Sequence, residues 1–70
     1  MNFDKIKIGD TLTLNTRGKS IRVKITRKVK KSSKSDYFQI YYDYLDGYSF
    51  MGCEKGVTPS EDGEFENLTK

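Results

Sequence analysis

Histidine is absent from this chain, and cysteine and proline occur once each. With no imidazole, the usual general base near neutral pH is missing. Cys53 has no second cysteine to pair with and no histidine to activate it, so it reads as a small inward-facing hydrophobe. Metal ligands reduce to carboxylates and that one thiol, and the glycine spacings that cradle phosphate are missing. The acidic run Glu61, Asp62, Glu64 and Glu66 lacks the spacing of a calcium loop and reads as a solvated turn. The composition therefore predicts a protein that is not an enzyme and takes no cofactor. Long apolar runs are missing as well. None approaches the roughly 20 residues of a membrane span, and the first residues lack the apolar core of a signal peptide. A lone thiol is compatible with a reducing compartment, so the expectation is a soluble, cytoplasmic chain with no membrane partner.

What is present is charge, unevenly distributed. The net charge of +3 conceals a first half, residues 1–35, with eleven Lys/Arg against Asp4 and Asp10. The second half, residues 36–70, carries Lys55 and Lys70 against eight carboxylates. Such asymmetry can mark a surface for an anionic partner, and it can equally make the two halves complementary to each other. Seventy residues make a single domain, in which about 60% of the unfolded chain's surface is buried. We read residues 1–70 as one small β domain, with 1–8 a lead-in and 57–64 an acidic loop.

The strand pattern is clearest over residues 19–31, KSIRVKITRKVKK. Ile21, Val23 and Ile25 share one parity, while Arg22, Lys24, Thr26, Lys28 and Lys30 share the other. A period of two over this length predicts a half-buried strand with one apolar and one basic face. Before it, residues 11–15 alternate Thr with Leu12 and Leu14, and Arg17-Gly18 supplies the turn between them. Closing there sets Leu14 opposite Ile21 and Leu12 opposite Val23.

Residues 31–36 are polar and read as a loop, followed by an aromatic strand over 37–44, YFQIYYDY. Pairing Lys30 with Tyr37 places Val29 against Phe38, Ile25 against Tyr42 and Val23 against Tyr44. Arg27 then lands on the apolar face beside Ile40, a conflict that a bulge near Arg27 would relieve. Asp46-Gly47 is a preferred two-residue hairpin turn and predicts a fourth strand pairing Tyr44 with Ser49, Tyr42 with Met51 and Ile40 with Cys53. Pro59 and the residues up to Gly63 read as loop, and Phe65 and Leu68 anchor a short last strand or a helical turn. The expected core is Leu12, Leu14, Ile21, Val23, Ile25, Val29, Phe38, Ile40, Tyr42, Met51 and Cys53.

These elements predict an all-β, five-stranded antiparallel barrel or strongly bent sheet. The Gly9-Asp10 entry, the long middle hairpin and the short final strand resemble the Src-homology-3-like small barrels in strand order and spacing. That resemblance implies a fold shared by many functions rather than one activity. The functional reading rests on one face. Under the registers above, Arg22, Lys24, Lys28 and Lys30 lie beside Tyr37, Tyr41, Tyr48 and Phe50, with Leu45 near the Asp-Gly turn. Tyr and Arg anchor protein interfaces, so the first expectation is a binding module that docks on a protein partner. Rings beside a row of cations also suit single-stranded nucleic acid, which is the alternative. Against both stand plainer roles. Strand lysines block aggregation, tyrosines are good strand formers, and the acidic half can cover the basic strand.

Overall fold

The computed structural model describes residues 1–30, 37–45 and 55–70. A 3-10 turn (Phe3–Lys5) precedes strands β1 (Thr11–Thr16), β2 (Lys19–Lys30), β3 (Phe38–Tyr44), β4 (Lys55–Ser60) and β5 (Leu68–Thr69). They form one antiparallel sheet in the order β4-β3-β2-β1-β5, curled into a half-barrel. The all-β, five-stranded expectation holds.

The β1–β2 hairpin has the register that its leucines dictate. Leu14 faces Ile21, Leu12 faces Val23, and all four are buried. Arg17 and Gly18 turn the chain with φ of 48° and 75°. Two consecutive left-handed residues give the hairpin turn whose twist matches the flanking strands. At the other end Gly9 N donates to Ile25 O at 2.7 Å and Ile25 N donates to Asp10 O at 2.8 Å, so β1's pairing is carried up to Ile25.

Directly after Ile25 the β2–β3 ladder slips. Val23 faces Tyr44, Lys24 faces Asp43 and Ile25 faces Tyr42, as the alternation predicts. Arg27 then faces Tyr41, and the pairs run on as Lys28 with Ile40, Val29 with Gln39 and Lys30 with Phe38. The β-bulge lies where Arg27 conflicted with the apolar face, and it resolves that conflict by inserting one extra residue. Its consequence runs to the end of the strand. The expected pairings of Lys30 with Tyr37 and Val29 with Phe38 are replaced, because a shift of one residue reverses which side chains face inward. Val29, expected in the core, is only half-buried and shares the outer parity with Gln39.

On its far edge β3 pairs with residues 55–60, while the segment 49–53 expected there lies outside the described residues. Asp43 faces Lys55, Tyr42 faces Gly56, Ile40 faces Thr58 and Gln39 faces Pro59. The segment read as a loop from Val57 onward is therefore mostly strand. Pro59 is tolerated because β4 lies at the edge of the sheet, where a ladder donor can be dispensed with. Gly56 fits beneath Tyr42, whose hydroxyl accepts a hydrogen bond from Thr58 Oγ1 at 3.0 Å. The Asp46-Gly47 turn and the expected core positions Met51 and Cys53 lie outside the described residues.

The core holds Ile6, Phe65 and Leu68 besides the expected strand residues, while Phe38 packs at its margin. Phe65, 1% exposed, is the largest fully buried side chain among the described residues. The lead-in and the C-terminal segment clasp one another around it. Phe3 N donates to Gly63 O and Phe65 N to Met1 O, both at 2.7 Å, and Asn2 bridges Glu64. Ile6 is buried while Ile8 is 66% exposed, so the lead-in covers the open side of the sheet with one residue of its alternating pair.

Candidate docking face

The bulge sorts the cations of β2 into two groups. Before it, Arg22 and Lys24 alternate with the buried Ile21, Val23 and Ile25 and point to the convex face. After it, Arg27 opposes Tyr41 on that same face, while Lys28 and Lys30 turn to the concave side. There Lys28 Nζ lies 4.2 Å from the centre of the Phe3 ring and Lys30 Nζ 5.7 Å from that of Phe38. The two rings are 4.4 Å apart at the rim of the core. The expected row Arg22, Lys24, Lys28, Lys30 is therefore not one row. The two lysines beyond the bulge cap the aromatic rim, where each cation–ring contact contributes about 0.5–1 kcal/mol.

The convex face is built from cross-strand rows. In one, Arg27, Tyr41 and Val57 stand side by side across β2, β3 and β4. The Arg27 guanidinium carbon is 5.6 Å from the centre of the Tyr41 ring, and Tyr41 Oη donates to Gln39 Oε1 at 3.2 Å. In the next row Lys24, Asp43 and Lys55 align, one carboxylate between two ammonium groups. Leu45 N donates to Arg22 O at 3.0 Å, which sets Leu45 beside Arg22. Leu45 and Val57 are 44% and 42% exposed, and with Ile8 they are the most exposed large apolar side chains among the described residues. A shallow depression of about 220 Å³ opens between Tyr41, Lys55, Gly56 and Val57.

Of the predicted site residues, the structure brings Arg22, Lys24 and Tyr41 onto one face and moves Lys28 and Lys30 off it. Tyr37 is half-buried just before β3. Tyr48 and Phe50 lie outside the described residues. Arg27, Lys55 and Val57 were not among the predicted site residues. Arg27 was hidden by the bulge, Val57 by the reading of 57–64 as loop, and Lys55 by the expected pairing of Asp43 with Phe50.

The acidic turn does not lie across this face. Asp62, Glu64 and Asp4 line a second depression, of about 230 Å³, beside Phe3 and Phe38 at the concave rim. No group of three or more His, Cys, Asp or Glu among the described residues could hold a metal ion. No helix among them is long and apolar enough to cross a membrane. No family model, curated protein or solved structure matches the chain.

Proposed function

We propose that this chain is a small, non-catalytic binding module that docks on a protein partner through the convex face of its sheet. The observation that carries the reading is the exposed aliphatic Val57 beside the Tyr41–Arg27 contact, with a second exposed aliphatic, Leu45, farther along the same face beside Arg22. A half-buried tyrosine under an arginine, with apolar neighbours and a polar surround, has the make-up of an interface anchor cluster. Single-stranded nucleic acid asks for something else, a series of open rings along a track of cations. On this face the described residues of β1 to β5 offer one ring, Tyr41, and one of its sides is shared with Arg27.

A photoreactive amino acid placed at Val57, and separately at Glu66 on the exposed C-terminal turn, tests the proposal in an extract of the source cells. The expected result is a discrete protein adduct from position 57 that resists nuclease and disappears when Tyr41 is changed to Ala. Adducts of equal yield from both positions, or none from position 57, would overturn it. A nuclease-sensitive adduct would transfer the face to nucleic acid.

A further inference from the structure

The charges on the convex face point to the chemistry of its partner. Arg27 stands in register with Tyr41 and Val57, Lys24 and Lys55 stand in the next row, and Asp43 is the one carboxylate in those rows. Asp62 and Glu64 of the acidic turn lie away from these rows, drawn to the concave rim by the clasp with Asn2 and Phe3. Lys28 and Lys30 lie over the rings of the other side, so among the cations of β2 and β4 it is Lys24, Arg27 and Lys55 that surround Tyr41 and Val57. The depression between Tyr41 and Val57 is shallow and has room for a single apolar side chain. The neighbouring edge is poorly made for adding another strand, since Pro59 lacks a donor and Lys55 brings charge to it.

Building on the docking reading, we infer that the face is occupied by an acidic segment of another protein. One aliphatic or aromatic side chain of that segment seats between Tyr41 and Val57, and its flanking carboxylates meet Arg27 and Lys24 on one side and Lys55 on the other. Complementary charge of this kind steers and orients the encounter, while the apolar anchor supplies residence. Binding therefore weakens as salt rises, because exposed charges more than about 10 Å apart are screened at 0.1 M.

A random-peptide display library tests this, selected against the intact chain and against its Lys24→Glu/Arg27→Glu and Tyr41→Ala variants. An amide correlation spectrum checks that each variant is folded. The wild type is expected to enrich peptides with Asp or Glu on both sides of one aliphatic or aromatic residue. A synthetic peptide of that pattern is expected to lose about fourfold to twenty-fivefold in affinity on the charge-reversed variant, from about two- to fivefold per cation. The charge-reversed variant should instead enrich Lys- and Arg-bearing peptides, and Tyr41→Ala should enrich neither. Tyr41-dependent enrichment without any charge preference would overturn the acidic chemistry and leave the docking face standing. Enrichment that is indifferent to Tyr41, or its absence from all three, would overturn the docking reading itself. If an oligothymidylate displaces the selected peptide and binds more tightly, or if the wild type dimerises through this face in sedimentation, the occupant is nucleic acid or a second copy and the inference falls.

Discussion

A methyl group added at Gly56 would lie 2.5 Å from Tyr42 Cε1 and 2.9 Å from Tyr44 Oη. Both rings are fixed, Tyr42 by its bond from Thr58 and Tyr44 by an edge contact with Tyr42 at 5.6 Å between centroids. Overpacking of this kind costs about 1–3 kcal/mol. Gly56→Ala is therefore expected to lower the urea midpoint and to alter the near-ultraviolet circular dichroism of the tyrosines. Gly18→Ala makes the contrast. Its added carbon meets nothing within 4 Å, and only the left-handed φ of 75° resists it. A loss of about 1 kcal/mol with an unchanged near-ultraviolet spectrum is expected there. The two glycines differ in how legible they were. Gly18 follows Arg17 between two alternating strands and announces a turn, whereas Gly56 has meaning only through the rings of Tyr42 and Tyr44, distant in sequence and on the neighbouring strand.

The bulge in β2 is the element that decides which surface the chain presents. Because Thr26 and Arg27 together oppose Tyr41, removing one residue there straightens the strand without changing which side chains face inward. Deletion of Thr26 is expected to leave a folded domain with Lys28 still opposite Ile40, at a cost of about 1–2 kcal/mol from the lost bend. Deletion of Lys24 shifts Ile25 or Val23 onto the convex face and is expected to abolish cooperative unfolding. Circular dichroism melts of the two deletions separate these outcomes. The need for the bulge could be read from Arg27, a cation at an inward position. Its downstream effect on Lys28 and Lys30 could not, because alternation alone cannot say on which side of the irregular residue the period is reset. The β3–β4 pairing was illegible for a related reason. Asp46-Gly47 is a strong local turn signal, but the sheet pairs Asp43 with Lys55, a register that local turn preference does not encode.

At the scale of the whole molecule, stability rests on a clasp that sequence periodicity barely marks. Phe65 and Leu68 sit in no long alternating run, yet both are buried, together with Ile6 from the lead-in. A domain of 70 residues has a total stability of only about 3.5–10 kcal/mol. Removing a buried phenylalanine costs about 3–5 kcal/mol, so Phe65→Ala is expected to leave a largely unfolded chain at room temperature, as read by far-ultraviolet circular dichroism. The same small core explains why surface and fold cannot be separated here. One curled sheet has its concave side filled by the core and the rim aromatics, so the proposed docking falls to its convex side. That division depends on the bulge turning Lys28 and Lys30 inward while Arg27 stays out. The nuclear Overhauser spectrum of the labelled protein reads it directly. Contacts from the Lys28 ε-methylene to the Phe3 ring, with ring-current shifts upfield, and contacts from Arg27 to the Tyr41 ring are the result this account predicts. Lys28 at random-coil shifts with contacts to Gln39, and Arg27 in contact with Ile40, would show an unbroken basic ridge and contradict it.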